Sequence, residues 1–363
     1  MDSKDQIMIQ QRIAENRIDA IDWMKGLCII CITLLHIENG IFPNKLNISI
    51  GMFMITGFYV TSGWVHGMKA ANKTVLKVFI QKRWKSLGVP YLWFTGILIL
   101  VDFLFYLVGH YEFDIVLRDI YKSIVLRGIG TLWFLPVLFG GELLFVRIQP
   151  LRYLILFVTF RNKRCTYVGL LVGLITFILL SMFQKHLQQH LSDFNFTLIK
   201  MPLLVLSSSA SAWTIITASY LVSRYVNQYS VKKKYLLGCA VLLLLTTLVY
   251  LNTPIDENLP SALLICIAKL FSFIEPLAIL FLFLCIAKEN ILLKYLQYWG
   301  KNSIILMAVH YSILMELFIW IVNIIWGVPL QGWNSLICFF IIMALQYPIA
   351  EYINCKLKFL IGK

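Results

Sequence analysis

The sequence is short of charge. Only 14% of its 363 residues are Asp, Glu, Lys or Arg, while 60% are hydrophobic. A water-soluble protein of this size needs a charged surface that this composition cannot supply. No long polar segment stands apart as a separate soluble domain. The alternating polar and apolar strands of a β-barrel are absent as well, and long unbroken apolar runs take their place. The polar start MDSKDQIMIQQRIAENRIDA lacks the basic, apolar and small-residue series of a cleaved leader, so the first membrane helix is expected to stay in place. A serine nucleophile elbow, a P-loop, an HExxH zinc motif and a dinucleotide fingerprint are all missing. Matching broken helices in two halves, the mark of many transporters, are missing too. Eight cysteines are present. Cys28 and Cys31 form a CxxC, but no second CxxC or nearby histidine pair completes a metal site. Two small apolar packing residues are the plainer reading, and no metal is expected.

What the chain does have is apolar length. A spanning helix needs about 20 apolar residues. Ten candidates lie near 20–40, 48–67, 88–108, 128–146, 165–183, 201–221, 235–251, 261–286, 303–326 and 335–354. The segment 150–160 is too short to span and suits the interface. The expected fold is an all-α integral membrane bundle of about ten helices. Residues 1–19 would precede it, 20–354 would form it, and 355–363 would be a tail. Lys and Arg set its orientation. One set of gaps between candidates holds 24 of them and the other holds six. Placing the rich set inside makes both termini cytoplasmic. The net charge of +14 is mostly this excess and implies no nucleic acid.

Ionisable groups inside such helices are costly, and each is a functional candidate. In IDWMKGLCIICITLLH (21–36), Asp22, Lys25, Ile29, Thr33 and His36 fall on one helical stripe, and Asp22 and His36 are separated by roughly 21 Å of rise. Asp22 and Lys25 sit at the cytoplasmic mouth, spaced for an i,i+3 ion pair. His36 lies deep, toward the outer side, where an imidazole is suited to take a proton from a hydroxyl. The plainer alternative makes it a hydrogen-bonded interior residue. His310 shares a helix face with Ser303 in GKNSIILMAVHYSI, and Gly300, Lys301 and Asn302 read as a turn or helix start that Asn302 or Ser303 caps. Lys82, Arg83 and Lys85 cluster before Pro90, either as a topology signal or as a grip on phosphate. Glu142, near Trp133, would pair with a basic residue or a histidine on another helix, or else be neutral. Glu275 and Glu316 are further intramembrane carboxylates, either of which could orient a histidine. The small residues of TGFYVTSGWVHG (56–67) suit close helix packing.

Taken in order, these stretches resemble the bacterial membrane acyltransferase-3 family. RIDAIDWMKGLCIICITLLH is similar to its first helix, with Arg17, Asp22, Lys25 and His36 in the matching places. FYVTSGWVHG is similar to its second-helix stretch, with Ser62 and Gly63. KRWKSLGVPYLWF resembles its basic stretch, with Arg83, Pro90 and Tyr91, although Lys85 stands where many members carry a second Arg. LWFLPVLF and YWGKNSIILMAVHYSI resemble its Trp-Phe motif and late helix, through Trp133, Phe134, Asn302, Ser303 and His310. The GKNS form is similar to short members resembling fucose 4-O-acetylases.

The resemblance implies a multi-pass protein of the bacterial cytoplasmic membrane that O-acylates sugars of surface polysaccharide or their lipid-linked precursors. It implies acetyl-CoA as donor substrate, bound from the cytoplasm, with no permanently bound cofactor. Arg83, Lys82, Lys85 and Lys25 would hold the nucleotide phosphates, and the pantetheine arm would run along the first-helix stripe. His36 would act as general base, with an acyl-histidine intermediate as the alternative. His310 would assist or bind the acceptor, a glycan or lipid-linked sugar. An exporter or flippase of such a glycan is the competing class.

Overall fold

The computed structural model describes residues 3–68, 76–147, 179, 182, 197–253, 261–327 and 331–363, and for residues 3–18, 197–198, 261–262 and 323–326 the backbone alone. These residues fold into helices. In chain order they are α1 (Ser3–Ile37), α2 (Asn44–Phe53), α3 (Thr56–Met68), α4 (Leu76–Arg83), α5 (Val89–Leu107), α6 (Phe113–Ile124) and α7 (Phe134–Arg147). Then come α8 (Thr197–Gln228), α9 (Lys233–Asn252), α10 (Ser261–Cys285), α11 (Ile291–Lys301), α12 (Ser303–Val309), α13 (Glu316–Trp326) and α14 (Trp333–Lys356). Among the described residues nine helical segments are long and apolar enough to cross a membrane. They coincide with nine of the ten apolar runs read from the sequence. The short segment 150–160 falls outside the described residues, as does the tenth run, 165–183, apart from Leu179 and Met182. The protein is an all-α multi-pass membrane protein.

Helix α1 is the centre of the bundle. It packs against α2, α3, α10, α11, α12 and α14. Lipid tails are as apolar as leucine, so burying leucine cannot by itself hold membrane helices together, and close backbone approach and buried hydroxyls must do so. The sequence supplies both. Gly26 of α1 lies against the Leu296 carbonyl of α11, and Gly300 of α11 lies reciprocally against the Asp22 carbonyl of α1, with no room for a Cβ at either. Gly300 is therefore a helix-crossing residue inside α11, not the turn its neighbours suggested.

The small-residue stretch of α3 does the same against α8. Gly63 meets the Ile216 carbonyl, Ser219 Oγ donates to the Val60 carbonyl at 2.6 Å, and Ser223 Oγ donates to the Trp64 carbonyl at 3.0 Å. Nearer its start, along the same face, α8 receives Gly140 and Gly141 of α7 beside Ser209 and Ala212. Cys28 is buried in this packing and Gly57 lies against its sulfur. By contrast α9 packs mainly on α10 and turns Leu242, Leu245, Leu248 and Val249 outward, as a lipid-facing helix does.

Two helices change winding at chosen places. Trp84–Gly88, directly after Arg83, and His310–Met315 are π-helical turns. The wider first turn leads into Pro90 at the start of α5, where the proline ring would otherwise crowd the preceding turn. Single π turns inside α-helices concentrate at functional sites. One here follows a candidate phosphate ligand, and the other begins on a candidate catalytic histidine.

Candidate functional site

Two polar cavities open in the bundle and approach each other from opposite ends of the α1 stripe. The inner one, at the end assigned to the cytoplasm by the charge count, has a volume of about 350 Å³. Its walls include Lys25, Ser62, Lys82, Arg83, Glu142 and Ser303. Arg83 Nε lies 2.6 Å from Glu142 Oε2, and Ser62 Oγ donates to Glu142 Oε1 at 2.5 Å. Glu142 is 1% exposed, so its charge requires a cation, and Arg83 supplies it. This pairing meets the sequence expectation of a basic partner for Glu142. It also fixes Arg83 through its Nε edge, leaving the rest of the guanidinium for another ligand.

Lys25 stands 3.8 Å from Asp22, the i,i+3 pair the spacing predicted. Lys82 is exposed at the cavity rim. Lys85 is exposed too but does not line the cavity, and its backbone packs on Gly362 of the C-terminal turn. The structure thus brings together three of the four basic candidates and leaves out Lys85, which stands two residues from Arg83 and so points away from it along the helix.

The outer cavity is larger, about 650 Å³. It is lined by His36, Asp102, Tyr111, Arg118, Asp119, Lys122, Arg127, Thr131, Trp133, Lys200, Tyr311 and Glu316, among others. Consecutive residues straddle the boundary, with Trp133 on the outer cavity and Phe134 on the inner one. Thr131 Oγ1, from the outer wall, donates to the carbonyl of Met307, whose residue lines the inner cavity, at 2.5 Å. The partition is therefore thin there. Along the α1 stripe itself the way is shut: Ile29 and Thr33 are fully buried, and Thr33 Oγ1 donates to the Ile29 carbonyl of its own helix. The stripe aligns the two mouths but is not an open groove. Any passage runs beside it, past Thr131, Phe134 and Met307.

His36 and His310 meet at this level. Each Nδ1 lies 2.7 Å from the carbonyl four residues earlier, Ile32 for His36 and Leu306 for His310. A carbonyl only accepts, so each Nδ1 carries the hydrogen and donates it. His310 is fully buried, and its bare Nε2 lies 3.4 Å from His36 Nδ1, a second, longer acceptor for the same hydrogen. His36 Nδ1 is doubly engaged inside the protein, which leaves Nε2 as the basic nitrogen for a ligand in the outer cavity. The partner of His36 is thus its own backbone and His310. Neither Glu275 nor Glu316 has that part: Glu275 accepts from Ser49 at 2.5 Å, and Glu316 is hydrogen-bonded by Tyr111.

The remaining candidates hold the frame. Asn302 makes no capping bond. Its side chain accepts from Asn354 at 2.7 Å and donates to the Tyr298 carbonyl at 3.0 Å, tying α11 to α14. Trp133 lies under the Arg127 guanidinium at 5.5 Å, within cation–π reach. Arg17 continues helix α1 with its side chain outside the description. Sequence reasoning missed Asp102 and Asp119, both nearly fully buried on the outer cavity. Asp102 was open to detection, since it is a lone carboxylate in the apolar run ILILVDFLFYL.

The bundle thus holds a cavity at each end of the α1 stripe, a thin partition between them and a tautomer-fixed histidine beside it. The family model described as an acyltransferase domain, that of acyltransferase-3, matches residues 18–349, nearly the whole chain. The chain belongs to this family and is a membrane acyltransferase. No curated protein and no solved structure matches it.

Proposed function

We propose that the protein transfers an acetyl group from acetyl-CoA, bound at the inner cavity, to a sugar hydroxyl presented in the outer cavity. Transfer serves a surface polysaccharide or its lipid-linked precursor in the bacterial cytoplasmic membrane. The observation that carries this reading is the position of His36. It lines the outer cavity with Nδ1 tied to Ile32, close to the partition beyond which Arg83, Lys82 and Lys25 gather. Those cations suit the nucleotide phosphates, and the free edge of Arg83 suits a forked contact. The thioester reaches the partition beside Met307 and Thr131.

His36 Nε2 removes the acceptor hydroxyl proton as the oxygen attacks the thioester carbonyl. The tetrahedral adduct expels the CoA thiolate, and the imidazolium returns the proton to that sulfur, giving the ester and free CoA. His310 positions His36 and supports the charge that develops on its ring. Both termini are on the donor side, in keeping with the basic excess.

The test uses full-length protein reconstituted in sealed vesicles, with acetyl-CoA confined to one face. Appearance of an O-acetyl ester on a glycan at the other face is expected. Movement of the glycan without a new ester would instead favour the exporter class.

A further inference from the structure

The outer cavity holds more chemistry than proton transfer needs. Four cations line it, Arg118, Lys122, Arg127 and Lys200, together with three carboxylates, Asp102, Asp119 and Glu316. These groups are not equally occupied. Asp119 is neutralised by Lys122 at 2.6 Å and Arg118 at 3.4 Å. Asp102 is only 3% exposed yet makes no hydrogen bond among the described residues, and its Oδ2 is buried with no partner. A buried polar atom left unpaired costs about 1–3 kcal/mol, more when charged, so an unpartnered carboxylate on a cavity-lining residue calls for a donor from a ligand. Glu316 lies close enough for its charge to act on Asp102, and Tyr111 bonds to it.

Resting on the acetyl-transfer reading, we propose that Asp102 and Glu316 form the acceptor subsite, accepting hydrogen bonds from hydroxyls of a neutral sugar ring while a further hydroxyl meets His36. Tyr111, Trp133 and Tyr311 line the same cavity and offer aromatic faces to the apolar C–H side of such a ring. The charge pattern favours a neutral ring. An acidic sugar would bring a carboxylate against the unpartnered Asp102. With Asp119 held by Lys122 and Arg118, Arg127 and Lys200 balance Asp102 and Glu316, so the cavity offers no net charge to select a cationic ring.

The test compares acetylation of methyl glycosides of a neutral hexose, a hexuronic acid and a hexosamine by the full-length enzyme in nanodiscs, and repeats it with Asp102→Asn and Glu316→Gln. Wild type should prefer the neutral glycoside. Each variant should raise KM for it about tenfold or more, as loss of a charged hydrogen bond does, with acetyl-CoA affinity unchanged. Unaltered glycoside KM in both variants overturns the subsite. Preference for the acidic or amino glycoside, or acceptance of none, overturns the neutral-ring assignment. Should a variant lose acetyl-CoA affinity through misfolding, the wild-type preference alone decides. Absence of acetyl-CoA binding by wild type would instead defeat the donor reading and is separately visible.

Discussion

His310 Nε2 lies 3.4 Å from His36 Nδ1, across 274 residues of sequence. The contact joins α1 to the π turn that begins at His310. Both rings are oriented by their own helices through 2.7 Å bonds to backbone carbonyls. A histidine whose Nδ1 hydrogen is held inside the protein keeps its base on Nε2.

This division of labour predicts unequal effects. General base catalysis is worth about 10²–10⁴ in rate, and that whole loss is expected at His36. Substituting His310 by Gln removes a positioning contact and retains a polar, hydrogen-bonding side chain. We expect a smaller fall in kcat, on the order of tenfold to a hundredfold by the same scale, with acetyl-CoA affinity unchanged and the pH–rate limb of the base displaced. A merely structural His310 would lower the folded fraction and leave the pH profile of the surviving enzyme in place.

The Arg83–Glu142–Ser62 group predicts a coupled pair. Removing one member of a buried ion pair costs about 3–5 kcal/mol. Arg83 retains some exposure, so the lower end of that range applies to Glu142→Ala. Arg83→Ala is expected to lower thermal stability and weaken acetyl-CoA binding together. In the double variant the stability losses should be less than additive, as contacting partners require. Thermal unfolding and donor titration on all four proteins check this.

Gly300 and Gly26 predict a packing defect. A methyl group at Gly300 meets the Asp22 carbonyl, which is backbone and cannot rotate away. Gly300→Ala should therefore cost about 1–3 kcal/mol, the range for overpacking. Gly51 is a helical control with nothing within 4 Å of the added carbon. Gly51→Ala should be neutral or slightly stabilising, by up to about 1 kcal/mol. Melting temperatures in one detergent separate the two.

Glu38, just beyond the first span, predicts an acid effect. The Phe42 amide, with the Ile41 amide and the Asn47 side chain, donates to its carboxylate and holds it below the usual carboxylate range. A carboxylate depressed in the fold stabilises above its ordinary value, and the contribution fades as pH falls through the lowered one. Hydrogen exchange of the amides of Ile41 and Phe42 should quicken relative to neighbouring amides in acid. Glu38→Gln should give the quickened rate at neutral pH already.

Much of this site was legible in the sequence, because a membrane makes polar residues conspicuous. His36, His310, Lys25 and Glu142 each stood out against apolar neighbours, Arg83 belonged to a basic cluster ahead of Pro90, and the i,i+3 spacing gave the Asp22–Lys25 pair directly. Which helix meets which was not legible. The Ser62–Glu142 bond spans 80 residues and the histidine contact spans 274, so no local pattern encodes either. The π turns also escaped, since winding depends on packing against neighbours as well as on local spacing. Lys85 stands close to Arg83 in sequence, but two residues along a helix turn it to the opposite side, away from the inner cations. Asp119 lies in the mixed-charge stretch FDIVLRDIYKS, where a carboxylate is not conspicuous, and Asp102 joins the site only through a cavity formed by distant helices.

The central claim is that His36 is the base that activates the acceptor. It is tested most directly by the initial rate of O-acetyl ester formation by full-length His36→Ala in vesicles, alongside its acetyl-CoA affinity and melting temperature. The account predicts a fall of about 10²–10⁴ with donor affinity and melting temperature near those of wild type. A folded, donor-binding His36→Ala enzyme with a rate within a few-fold of wild type would contradict it.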